Sequence, residues 1–190
     1  MRKAAGLEPL LEPLSILKRL LDGSGCQWMI IGGVAASLLG KPRFTSDVDV
    51  VALIEDKELP NLLKVAKRLG FKARVKDAVE FAQQNRVLLL KHIKTDINVD
   101  LSLGLLPFEK EAIKRSKRFK IANITFNLPT PEDLIIFKAV AHRPRDIEDI
   151  RDIVKIHTKV DKKYIKKITK EFAHILEMPE IWQDIESILE

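Results

Sequence analysis

The sequence lacks the features of a disulfide-built, zinc-organised or membrane-crossing protein. It holds one cysteine, Cys26, which allows no disulfide within the chain and no Cys-based zinc cluster. Its four histidines, His92, His142, His157 and His174, show no ligand spacing to one another, so a zinc site is not expected. The longest apolar run, Trp28 to Gly40, is about half of the ~20 residues needed to cross a bilayer, and two adjacent glycines interrupt it. Glu8, Pro9, Glu12 and Pro13 stand where a signal peptide would need an unbroken apolar stretch. Internal repeats and low-complexity tracts are also missing. These absences lead us to expect a soluble, cytoplasmic protein with no membrane partner.

What is present is enough to fold. Across 190 residues, 46% are hydrophobic and 32% charged, which supports a sizeable core and excludes a largely disordered chain. The net charge of +6 is modest and leaves a nucleotide or nucleic-acid partner open without requiring one. It is unevenly placed. Residues 101–170 carry 17 basic against 9 acidic side chains, whereas 171–190 carry six acidic and no Lys or Arg. Solvated helix faces account for Lys162, Lys163, Lys166 and Lys167 taken alone, but beside an anion site such a surface suits a polyanion.

Periodicity predicts a mixed α/β segment over 1–128 and a helical one over 129–190. Leu10, Leu14, Leu17 and Leu21 recur at helical spacing and read as core rather than a dimer seam, with Gly23-Ser24-Gly25 as the stop. A short strand at Trp28–Ile31, a helix at 34–39 and a strand at 47–54 follow, then a helix over 57–69. Paired strands at 86–93 and 96–103 turn at Lys94-Thr95. A helix at 108–117 and a hairpin at 119–121 and 124–128 complete the first segment. Thr130 caps a helix over 131–141, and helices at 146–156, 162–176 and a turn or two after Pro179 end the chain.

The chemistry concentrates in Gly32-Gly33 and, downstream, Asp47-Val48-Asp49-Val50. Alternate strand residues share a face, so Asp47 and Asp49 point together between apolar neighbours. Two such carboxylates repel each other and are poorly solvated. A hard divalent cation relieves both costs, and Mg²⁺ is commonly held by one or two carboxylates plus substrate phosphates. Gly32-Gly33 opens a helix directly after a strand, where free N–H groups face an anion and glycine lets a phosphate approach the backbone. A third carboxylate, Asp100, lies in Ile97-Asn98-Val99-Asp100-Leu101; Asp96 shares its face but sits beside a turn, where Asp is ordinary, so Asp100 is preferred.

Ile31-Gly32-Gly33, Ser46-Asp47-Val48-Asp49-Val50 and Val99-Asp100-Leu101 together resemble the DNA polymerase beta-type nucleotidyltransferase superfamily. Lys41-Pro42-Arg43-Phe44-Thr45-Ser46-Asp47, with Pro129–Lys138 and Arg145–Ile150, is most similar to minimal members of the AbiEii/MenT toxin type. The resemblance spans roughly 28–155. It implies an α/β (α+β) nucleotidyltransferase fold, with a mixed central sheet flanked by helices and followed by a helical C-terminal part. It also implies transfer of a nucleotidyl group from an NTP with loss of pyrophosphate. Asp47, Asp49 and Asp100 would hold two Mg²⁺ or Mn²⁺ ions; Gly32, Gly33 and Ser46 would cradle the phosphates, and Lys138 would neutralise them. The acceptor would be an RNA end, with tRNA as the natural case, or a protein hydroxyl. A toxin-like role with an antitoxin partner goes with the resemblance. The other reading is a non-catalytic nucleotide- or partner-binding module on the same fold.

One position departs from the pattern: Gly33 stands where a serine is common, so no hydroxyl there binds phosphate. Ser46 reads equally as a local hydrogen-bonding residue, and Lys138 as a solvated helix lysine. Arg43 and Thr45 read as loop supports. Asp146 reads as a helix N-cap, and Asp149, with Arg145, as part of surface pairs.

Overall fold

The computed structural model describes residues 6–190. A 3-10 turn at Glu8–Leu10 leads into α1 (Leu11–Ser24), and Leu10, Leu14, Leu17 and Leu21 are all buried, as a core-facing stripe requires. Gly25 closes this helix in the left-handed region, so the stop falls at the second glycine of the predicted pair. Then come β1 (Trp28–Ile30), α2 (Gly32–Leu39), β2 (Asp47–Ala52), α3 (Leu59–Arg68), β3 (Phe71–Ala73), α4 (Ala78–Asn85), β4 (Val87–His92) and β5 (Asn98–Leu103). The pattern foresaw neither β3 nor α4. The strand has three residues, and the helix lies between Asp77 and Arg86, both at positive φ, with no glycine or proline marking its ends.

These strands form one mixed sheet in the order β1-β2-β5-β4-β3, with β2 and β5 parallel and the other pairs antiparallel. Val48, Val50 and Ala52 on β2, Val99, Leu101 and Leu103 on β5, and Leu88 and Leu90 on β4 share one face and are all buried. They belong to an apolar cluster that includes Leu17 and Leu21 of α1, Leu38 of α2 and Leu62 of α3. Asp47, Asp49, Asn98 and Asp100 lie on the opposite face and are only half-buried. Further along β2 on that face, Val51 joins Met29, Ala112, Ile113 and Phe137 in a smaller cluster. The carboxylates therefore occupy the stretch of this face that apolar packing leaves free.

After β5 the chain forms α5 (Pro107–Arg115), a hairpin of β6 (Lys117–Ile121) and β7 (Ile124–Leu128), then α6 (Pro131–Ala141), α7 (Pro144–Ile156), α8 (Lys162–Ile175) and α9 (Glu180–Leu189). Thr130 caps α6 as predicted, its hydroxyl accepting from Asp133 N at 3.2 Å. Asp133 is itself buried and is held by Arg115 Nη2 and Tyr164 Oη at 2.8 and 2.9 Å, which pins the start of α6 to α5 and α8. Lys138 lies further along the same helix and is buried. Among the described residues no helix is long and apolar enough to cross a membrane.

Candidate active site

The site begins with register. In the parallel β2/β5 pair Asp47 lies opposite Asn98 and Asp49 opposite Asp100, so the carboxylates of two strands meet side by side at the ~4.8 Å strand spacing. Asp47 Oδ1 accepts from Asn98 Nδ2 at 3.1 Å and its Oδ2 from Ser46 Oγ at 3.0 Å. Asp49 Oδ2 accepts from Gly33 N at 3.3 Å, which ties it to the first turn of α2. Asp100 forms an ion pair with Arg74, a residue just beyond β3 that the pattern passed over. Burial pushes the Asp100 carboxyl above the usual carboxylate range; Arg74 opposes that, while Asp49 and Asp47 reinforce it. Asp96 sits instead in a left-handed turn, exposed and paired with Lys91.

Gly32 and Gly33 are fixed by close approach. Gly32 has φ +61°, and a Cβ there would lie 1.9 Å from Asp49 Oδ2. A Cβ on Gly33 would lie 2.4 Å from Thr45 Oγ1, so the buried Thr45 hydroxyl fills the space a serine would need. This is the physical reason for the departure at position 33. Gly32→Ala is expected to cost about 1–3 kcal/mol from the left-handed conformation alone and to push the Asp49 carboxylate out of place. Thermal unfolding alongside a transfer assay reads both effects; unchanged values in each would contradict this packing.

The wall facing the carboxylates is built on a buried ionic network. Lys138, buried in α6, donates to Asp146 Oδ1 at 2.6 Å and lies 2.8 Å from Asp149 Oδ2. Arg43 Nε and Nη2 each donate to Asp149 at 2.8 Å, and Arg143 Nε donates to Asp146 Oδ2 at 2.6 Å. Asp149 is therefore no surface-pair residue: α7 packs across α6 and presents it to a lysine and to an arginine 106 residues earlier in the chain. Asp146 is the third residue of α7 rather than its N-cap; it accepts from Arg143 N at 3.3 Å, closing the helix start, and is buried. Arg43 does support its loop, as read from the sequence. Ser37 Oγ also donates to Arg43 O at 2.6 Å and accepts from Arg43 N at 3.1 Å. Three cations face two anions in this network, so the wall keeps positive charge.

Together these residues line a cleft of about 370 Å³: Asp47, Asp49, Asp100 and Gly33 on one side, and Lys138, Arg143, Arg145 and Asp146 on the other, with Arg43–Ser46 between. Every predicted site residue except Gly32 borders it directly. The hard carboxylate oxygens of the three aspartates, which line the cleft together, suit Mg²⁺ or Mn²⁺. Among the described residues, however, no three acidic, His or Cys groups are already gathered at ligand distance; Asp49 is engaged by Gly33 and Asp100 by Arg74.

Residues 10–186 match the family model described as "Nucleotidyltransferase of unknown function (DUF6036)". The chain belongs to this nucleotidyltransferase family. The match agrees with the resemblance carried by the glycine and aspartate motifs. No curated protein matches the sequence. Several solved structures share the fold. The antibiotic-resistance factor ANT(2'')-Ia aligns with TM-score 0.59 at 15% identity, over 88% of this chain and 95% of its own. An antigenic nucleotidyltransferase-like protein from Paracoccidioides brasiliensis aligns at 0.53 and 17% identity, over 92% and 90%. The lincosamide antibiotic adenylyltransferase LnuA, solved with lincomycin bound, aligns at 0.53 and 16% identity, over 76% and 96%. At these identities the likeness is one of fold.

Proposed function

We propose that the protein transfers a nucleotidyl group from an NTP to a hydroxyl acceptor and releases pyrophosphate. The observation that carries this reading is the β2/β5 register, which sets Asp49 beside Asp100 and on one face with Asp47, next to the glycine-opened start of α2. Asp47, Asp49 and Asp100 are the residues to hold Mg²⁺ or Mn²⁺, whose chemistry is to neutralise the phosphates and lower the pKa of an attacking hydroxyl. Gly33, Ser46, Arg143 and Arg145 face the triphosphate, and Lys138 adds its charge from the cleft wall. The acceptor hydroxyl loses its proton to solvent as its oxygen bonds to the α-phosphorus, the bond to the bridging oxygen of the β-phosphate breaks, and pyrophosphate leaves.

Incubation of the protein with labelled NTPs, Mg²⁺ or Mn²⁺, and total RNA or lysate tests the reading. Label is expected on an RNA or protein acceptor, and its absence from every acceptor would overturn the proposal. The acceptor we favour is RNA. Lys117, Arg118 and Lys120 on the hairpin and Lys162, Lys163, Lys166 and Lys167 on α8 are exposed cations. With three or four phosphates neutralised on single-stranded RNA, affinity should fall about 20- to 50-fold between 50 and 200 mM salt. A salt-independent affinity would point to a protein acceptor.

A further inference from the structure

Phe44 is out of keeping with its surroundings. Its ring is 66% exposed, yet it lines the cleft, whose other lining residues are charged, hydroxyl-bearing or glycine. An exposed phenyl ring gains nothing from water, and this one is not on a loose loop. The Phe44 carbonyl accepts from Arg43 Nη1 and from Arg145 Nη2, each at 3.3 Å. The residue before it is clamped to Asp149 and Ser37, and the residue after it, Thr45, is buried. The backbone is held on both sides while the ring is left facing the cleft.

We propose that Phe44 is the platform on which the nucleobase of the NTP stacks. The inference rests on the nucleotide reading above and assigns the base, which that reading left without a partner. The carboxylates match metal ions and the guanidiniums match phosphates. Among the described residues that line the cleft Phe44 carries the one aromatic ring, and base–aromatic stacking is sequence-tolerant because every base has a π-face of its own. The fixed backbone means the ring loses little freedom on binding. Phe44 thus supplies affinity for any of the four bases and leaves their discrimination to groups that meet base edges.

The test compares binding of α,β-methylene analogues of ATP, GTP, CTP and UTP with binding of inorganic tripolyphosphate, all with excess Mg²⁺, by calorimetry on the full chain. Phe44→Ala should weaken all four analogues about tenfold, to similar extents, and leave tripolyphosphate unchanged. Phe44→Trp should restore analogue affinity and add a tryptophan emission, over the wild-type background, that analogues quench and tripolyphosphate does not. Equal losses for analogues and tripolyphosphate, or no loss for any analogue, would overturn the assignment while leaving the nucleotide reading standing. A wild-type protein that binds none of the probes would overturn both.

Discussion

Asp49→Asn should lower nucleotidyl transfer by at least about 10²–10³-fold while leaving the melting temperature within a few degrees of wild type. The substitution keeps the shape of the side chain and an oxygen able to accept from Gly33 N, so the tie to α2 survives. It removes one of the three negative charges, with those of Asp47 and Asp100, that the proposed function assigns to a divalent cation. Asp96→Asn is the matched control. It lies four residues before Asp100, is also acidic, and is exposed in a turn with Lys91, so transfer should be unchanged. A transfer assay with both variants separates a site built on the β2/β5 register from a general effect of acidic charge. Full activity in Asp49→Asn, or equal losses in both variants, would contradict the site.

The second large effect falls on stability. Lys138→Met should destabilise the protein by about 3–5 kcal/mol, because it leaves Asp146 and Asp149 buried with one cation fewer. For a chain of this size that corresponds to a fall of roughly 10 °C in the melting temperature. The effect has a defined pH dependence. Burial alone would raise both carboxyls, but hydrogen bonds from Arg143 and Lys138 to Asp146, and from Arg43 and Lys138 to Asp149, outweigh it and hold both below the usual carboxylate range. Acids depressed in the folded state contribute stability that is present above their unfolded pKa, about 3.9, and lost as pH falls through the folded value. Wild type should therefore weaken below about pH 4. The gap between wild type and Lys138→Met should shrink over the same range. Thermal unfolding from pH 7 to pH 3 measures it, and a gap that widens in acid would contradict the network.

The parts of this molecule legible in the sequence are those governed by local spacing. Alternation placed Asp47 and Asp49 on one face of a buried strand, and the glycine pair after Trp28–Ile31 marked the start of a helix that in fact begins at Gly32 itself. The cap at Thr130 and the extent of α6 followed from a residue type and a proline. What escaped depends on partners distant in sequence. Asp149 has the spacing of a surface ion pair, and only the crossing of α7 over α6, with Arg43 delivered from a loop before β2, makes it interior. Arg74 follows a three-residue strand with one exposed lysine, too short to show a period, so nothing announced that it would reach Asp100. The mismatch at Gly33 was visible, but its cause, the Thr45 hydroxyl packed where a side chain would go, lies in three dimensions.

The most direct test of the account is a crystal structure of the protein with Mn²⁺ and an α,β-methylene NTP analogue, read by the anomalous signal of manganese. The account predicts two peaks about 3.5–4 Å apart among the carboxylates of Asp47, Asp49 and Asp100, with the triphosphate reaching toward Gly33 and Arg143. Manganese and nucleotide bound away from these three aspartates would contradict it.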